Sequence, residues 1–187
     1  MRRSRALLHV KSNPDVAAAA NHGDRFKAAP ERLRSVRPFA VRRVQASDME
    51  GVITLDGRVT GLVKPEYWHD VFERYGKRRL HERMFLVAQQ QSPEALPAIL
   101  GFVVGEVRAW EFGSEPCGWV LALSVEPRLR LRGTGQALLE ALAIEFKKAG
   151  VSKMRTMVAR DNRLHLLFFR SEGMMAGPYI QLEKDLD

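Results

Sequence analysis

The sequence predicts one α/β (α+β) domain, a mixed sheet flanked by helices, and three observations carry that prediction. From Val41 onward, strand and helix signals alternate along the chain. A nearly all-apolar run, Trp119 to Val125, is followed by an amphipathic helix and another strand, the pattern of a β-α-β crossover whose strands run parallel. Ahead of it, two strand signals joined by a polar, proline-containing loop predict an antiparallel hairpin, so the sheet must be mixed.

Each element has its own signal. Val41 to Val44 reads as a short strand, and Ser47-Asp48-Met49-Glu50 as a capping box that opens a first helix. Pro65 suits the first turn of a second helix, on which Trp68, Val71, Phe72 and Tyr75 fall on one face. That stripe reads as core, with a ligand-lining role as the alternative. Phe85 to Ala88 and Ile99 to Val107 form the hairpin, across the loop Gln89 to Pro97. Trp119 to Val125 has the composition of a strand buried on both faces. The next helix runs from about Thr134 to Ala149, with Leu138, Leu139, Leu142 and Phe146 on one face and Gly150 placed for a left-handed cap. Met154 to Ala159 is a strand, Asn162 to Phe169 a short helix ending near Gly173, and Tyr179 to Leu186 alternates as a half-exposed strand does.

With 187 residues and an apolar share of 45%, the chain has material for one compact core and little for a second. No run of eighteen apolar residues predicts a membrane span, and the first residues lack the apolar stretch of a secretory signal. The single Cys117 excludes an intramolecular disulfide and a multi-thiolate metal site, so a cytoplasmic setting and no metal are expected. Of the net charge of +8, residues 1–37 hold +6 and residues 38–187 only +2. The catalytic or binding domain is therefore expected at 38–187. A domain this close to neutral has no field for steering onto nucleic acid, which leaves the tail as the only part with that capacity. The basic tail, 1–37, is expected to be disordered or only locally helical. It could be a nucleic-acid arm, an organelle presequence or a solvated extension.

The segment Val125-Glu126-Pro127-Arg128-Leu129-Arg130-Leu131-Arg132-Gly133-Thr134-Gly135-Gln136 leaves a strand and enters a helix. Unpaired first-turn amides and the helix dipole make such a junction an anion site. Two glycines admit close backbone approach, and Arg128, Arg130 and Arg132 offer charge-assisted bonds to phosphate. Gln136-Ala137 replaces the Lys-Ser/Thr of a P-loop, and Leu138 the third glycine of a dinucleotide fingerprint. A phosphate or diphosphate ligand is expected, with a plain turn as the alternative.

Arg130-Leu131-Arg132-Gly133-Thr134-Gly135 resembles the Arg/Gln-x-x-Gly-x-Gly/Ala motif of the Gcn5-related N-acetyltransferases (GNAT). Asn162 to Met174 is similar to that family's Asn-x-x-Ala-x-x-Leu-Tyr-x-x-x-Gly-Phe element, with the same Asn-to-Gly spacing. The resemblance covers about 38–187. It implies a mixed, mostly antiparallel twisted sheet, helices on both faces, one central parallel crossover and acetyl-CoA as cosubstrate. It places the diphosphate on the amides from Arg132 through Gly133, Thr134 and Gly135 to Gln136 and the pantetheine arm along the backbone of Leu123 and Val125, with Arg130, Leu131 and Ser124 also counted among the cofactor-binding residues. It also implies that Asn162 and Phe169 border that arm, although Asn162 reads equally well as a helix cap.

Where the family often has a tyrosine acid, this chain has Phe169, and Leu121 and Ala122 stand where a glutamate base is common. Glu106 and Glu111 remain as candidate bases and Tyr179 as a candidate acid, each with a surface role as the alternative. His165 reads as a packing residue, and Cys117, before Gly118 in an expected turn with no His nearby in sequence, does not read as a nucleophile. The implied activity is acetyl transfer from acetyl-CoA to a primary amine of a small molecule or peptide, by a monomer or homodimer without membrane partners. The two missing side chains favour the alternative, an acyl-CoA-binding sensor of the same fold.

Overall fold

The computed structural model describes residues 39–91, 98–129 and 133–186. The expectations for the tail, for most of the hairpin loop and for Arg130, Leu131 and Arg132 lie outside the described residues. Five strands form one sheet in the order β1 (Phe39–Arg43), β2 (Arg83–Gln90), β3 (Ile99–Arg108), β4 (Cys117–Val125) and β5 (Met154–Thr156). The first four are antiparallel neighbours, and β5 runs parallel to β4.

Strand alternation assigns the two faces. Phe85, Val87, Phe102 and Val104 pack beneath α1 (Met49–Thr60) and α2 (Pro65–Val71). Met84, Leu86, Val103 and Val120 face α3 (Thr134–Lys148), joined by Phe169 of α4 (Arg163–Ser171). Helices thus cover both faces. On α3, Leu138, Leu139, Leu142 and Phe146 are all buried, and Gly150 closes the helix at φ 83° while Val151 N–H bonds to Phe146 O at 3.2 Å.

The stripe on α2 is core through Trp68, Val71 and Phe72. Trp68 meets Phe102 edge-on at 4.8 Å, and its Nε1 donates to the buried Asp56 Oδ2 at 2.8 Å. Lys64 pairs with the same oxygen at 3.0 Å, so the buried carboxylate is matched. Beyond Val71 the helix widens into a π turn, Phe72–Gly76, which carries Tyr75.

Five expectations are corrected. The capping box closes a 3-10 turn, Ala46–Asp48, that leads into α1: Gln45 N–H donates to Asp48 Oδ2 at 2.7 Å, whereas Glu50 is exposed. Asp48 is turned inward because Arg42 of β1 holds it through two bonds of 2.7 and 2.8 Å. Strand β5 stops at Thr156 instead of Ala159. Strand β4 is not buried on both faces: Leu121 is exposed and Ala122 to Val125 are half-buried. Finally, Tyr179 to Leu186 forms no strand, and Ile180 and Leu182 are 81% and 90% exposed. Alternation suits that segment to a strand, but it pairs with none of the described strands. Cys117, expected in a turn, is instead the buried first residue of β4.

Candidate active site

Two features of β4 open a cleft. Its pairing with β3 slips between Val104↔Ala122 and Gly105↔Val120, so Leu121 is an extra, bulged residue. Its pairing with β5 covers only Gly118, Trp119 and Val120. From Leu121 to Val125, β4 therefore has β3 on one side and, among the described residues, no strand on the other. Glu126 N–H donates to Leu100 O at 2.8 Å, which fixes the hydrogen-bond parity. Ser124 and Ala122 share that parity and use their backbone on β3, while the N–H and C=O groups of Val125 and Leu123 point to the uncovered edge.

The start of α3 stands at the end of that edge. Gly133 is the N-cap at φ 76°, a left-handed conformation that glycine adopts without strain. Ala137 N–H makes the first intrahelical bond, to Gly133 O at 2.9 Å, so the amides of Thr134, Gly135 and Gln136 have no partner within the helix. Thr134 is 1% exposed, and its Oγ1 has no hydrogen-bond partner among the described residues. A buried hydroxyl without a partner at a helix start fits an anion that would supply the missing acceptor. Gly135 has a packing reason as well: a Cβ there would meet the Phe168 ring at 3.2 Å. Arg128 is exposed.

On α4, the structure shows Asn162 as a cap. Its Oδ1 accepts from His165 N–H at 3.1 Å, and its Nδ2 lies 3.1 Å from His165 Nδ1. Phe169 is buried against Phe168, with ring centroids 5.2 Å apart, and carries no proton to donate.

On the opposite face of the sheet, a pocket of about 80 Å³ separates the α2 segment from β3 and β4. Tyr67, Trp68, Val71 and Tyr75 line it from above, Val104, Leu121 and Ala122 from below, and Arg74 completes it. Tyr75 Oη donates to Glu106 Oε2 at 3.0 Å, and Arg108 Nε donates to Glu106 Oε1 at 2.7 Å. Burial, then the Glu106 charge and hydrogen bond, hold the Tyr75 phenol above its ordinary value, so it is neutral at neutral pH. The bond to Glu106 is the main cause raising the Arg108 guanidinium.

The structure separates the three acid–base candidates. Glu106 is engaged at both oxygens and connects to the pocket through Tyr75. Glu111 is exposed and reaches Arg108 at 3.5 Å, without lining the pocket. Tyr179, 45% exposed, stacks under the Arg155 guanidinium at 4.7 Å and lies outside any strand. Sequence reading offered a ligand-lining role for Tyr75 only as the alternative to core, and missed the π turn on which it both packs against the core and lines the pocket. It also missed the burial of Thr134.

A helix start beside the β4 edge left uncovered where β5 ends, with a pocket across the sheet, is the arrangement that the sequence resemblance implies for a coenzyme A-dependent acyltransferase. The model of the Acetyltransferase (GNAT) family matches residues 50–173, and the chain belongs to that family. Its chemistry is N-acetyl transfer with acetyl-CoA as cosubstrate. No curated protein matches the sequence. Among solved structures, an aminoglycoside N-acetyltransferase AAC(6')-Iy in complex with CoA is similar at a TM-score of 0.68 and 14% identity, covering 79% of this chain and 94% of that one. AAC(6')-Ih from Acinetobacter baumannii gives 0.66 at 13% identity, covering 80% and 99%. A glucosamine-6-phosphate N-acetyltransferase from Arabidopsis thaliana gives 0.61 at 22% identity, over 80% and 99%. These likenesses support the fold.

Proposed function

We propose that this chain acetylates a primary amine of a small molecule or peptide by direct attack in a ternary complex. The observation that carries the reading is the uncovered edge of β4, whose bulged Leu121 also lines the pocket beneath Tyr75. Acetyl-CoA supplies the activated acyl group as a thioester. The amides of Thr134, Gly135 and Gln136 and the Thr134 hydroxyl hold its diphosphate, aided by Arg130 and Arg132. The backbone of Leu123 and Val125 holds the pantetheine arm, and Asn162 must release His165 Nδ1 to join them.

Amine attack needs a free lone pair, so a proton has to leave. The Tyr75 hydroxyl donates to Glu106 and keeps a lone pair for an incoming ammonium. The ammonium proton passes to the Tyr75 oxygen as the Tyr75 proton passes to Glu106. With Phe169 in the acid position, the departing thiolate takes its proton from water. Positioning and backbone N–H polarisation supply most of the rate. We assign this activity to residues 38–187, in the cytoplasm, with 1–37 outside the catalytic unit.

The test is coenzyme A release with polyamines, amino acids, aminoglycosides and peptides as acceptors. Turnover is expected, with Glu106→Gln and Tyr75→Phe each lowering kcat by about 10²-fold or more and leaving coenzyme A affinity unchanged. Tight coenzyme A binding without turnover of any acceptor would overturn this reading in favour of a sensor, which the loss of a hydroxyl at Phe169 favours.

A further inference from the structure

The face of the sheet that carries the pocket also carries a row of charge. Arg155 of β5 is the register partner of Trp119, and Trp119 is the register partner of Glu106. Gly118 and Val120 face α3, so Trp119 and its partners project to the opposite, α2 side. Arg108 lies over the Trp119 ring at 5.5 Å, and Arg83 over the Tyr75 ring at 5.2 Å.

The guanidinium groups on this face are not equally matched. Arg74 pairs with Asp70, and Arg108 with Glu106 and Glu111, while Arg83 comes within 3.6 Å of Glu106. Arg155 has no carboxylate partner among the described residues. It is held by neutral groups only: Nη1 donates to Ser114 Oγ at 2.9 Å, and the cation rests on the Tyr179 ring at 4.7 Å. A guanidinium fixed by one hydrogen bond and one aromatic face keeps most of its five donors and its full charge for something else. Beside it, Trp119 Nε1 is buried with no acceptor among the described residues, a second unused donor in the same row.

We propose that the acceptor amine carries an oxyanion, a carboxylate or a phosphate, and that Arg155 is the residue that binds it. This deepens the acyl-transfer reading and rests on it. Leu121 lies two residues along β4 from Trp119, and Arg155 one strand further, a separation of about 8 Å from strand spacings. That span fits an amine separated by a few bonds from its anionic group, as in an ω-amino acid or an amino-sugar phosphate. Arg74, Arg83, Arg108 and Arg155 on the same face disfavour a polycationic acceptor.

The test is steady-state kinetics of the full chain with lysine and ornithine, their methyl esters, glucosamine and glucosamine 6-phosphate, and one aminoglycoside. The carboxylate and phosphate arms then separate the two sources of charge. One anionic acceptor should be preferred over its uncharged counterpart by about 10- to 100-fold in kcat/KM. Arg155→Gln should remove that preference through KM for the acceptor, leaving KM for acetyl-CoA and the uncharged counterpart unaffected, and Arg155→Lys should restore part of it. Equal kcat/KM for each acid and its ester, or an equal loss for both in Arg155→Gln, overturns the assignment while leaving acyl transfer intact. If none of these acceptors is turned over, calorimetric titration of lysine and glucosamine 6-phosphate into the coenzyme A complex decides. Binding that weakens in Arg155→Gln supports the site, and equal or absent binding overturns it. Absence of coenzyme A binding is the separate failure of the acyl-transfer reading.

Discussion

Thr134→Val should stabilise the free protein and weaken it as a coenzyme A binder. Thr134 is 1% exposed, and its hydroxyl bonds to nothing among the described residues. An unpaired buried hydroxyl costs about 1–3 kcal/mol, and valine keeps the shape while replacing that oxygen by a methyl group. Removing the unmet donor should therefore return about 1–2 kcal/mol to the ligand-free fold. For a domain of this size that raises Tm by roughly 2–8 °C. In the complex the sign reverses, because the hydroxyl bonds to a charged diphosphate, an interaction of about 1.5–3 kcal/mol. Its loss raises the coenzyme A Kd by about 10- to 100-fold. Calorimetric melts without ligand, paired with titration of coenzyme A, read both halves. A variant with lowered Tm and wild-type Kd would refute the reasoning, since the hydroxyl would then be serving the fold and not the ligand.

Three other perturbations test the surroundings. Gly135→Val places methyl groups against the Phe168 ring, which a Cβ already meets at 3.2 Å, so it should lower Tm as well as coenzyme A affinity, and loss of affinity at unchanged Tm would show that α4 has room. Gly118→Ala drives a Cβ to 2.3 Å from Phe146 and should destabilise by about 1–3 kcal/mol in urea unfolding; an unshifted midpoint would contradict the packing. Glu145 is held below the ordinary carboxylate range, first by its bond to Lys148 and then, against some burial, by Arg43. Because its folded value is the lower one, its contribution is present above the unfolded carboxylate value and disappears as pH falls through the folded value. Glu145→Gln should therefore cost about 0.3–1 kcal/mol at pH 7 and nothing at strongly acidic pH, and an equal cost at both would exclude the ion pairs as its origin.

Much of this was legible because it is local. The apolar stripe Leu138, Leu139, Leu142 and Phe146, the left-handed cap at Gly150 and the crossover around them follow from spacing within a single element. The strand-to-helix junction at Gly133 was legible for the same reason. What escaped depends on partners far along the chain. Asp48 replaces Glu50 in the cap because Arg42 on β1 draws it inward, and no pattern within Ser47 to Glu50 records that strand. Ile180 and Leu182 alternate as a strand requires, yet alternation reports only a capacity, and pairing needs an edge. The pocket role of Tyr75 needs the π turn, and the engagement of Glu106 needs Tyr75 and Arg108 to meet across 31 and 2 residues.

The bulge at Leu121 illustrates how one residue outside a pattern can set the chemistry of a site. Val120 packs toward α3, so strict alternation would send Ala122 and Ser124 to that face as well and turn their backbone groups to the uncovered edge. The extra residue reverses this: Ala122 joins Val104 on the α2 face, Leu123 and Val125 pack toward α3, and their N–H and C=O groups become the free ones. A bulge also increases local twist. Strand β5 follows β4 up to Val120, the residue before the bulge, and no further. The same insertion therefore selects which backbone groups face the cleft, brings Leu121 and Ala122 together in the pocket, and marks the point at which the parallel strands part.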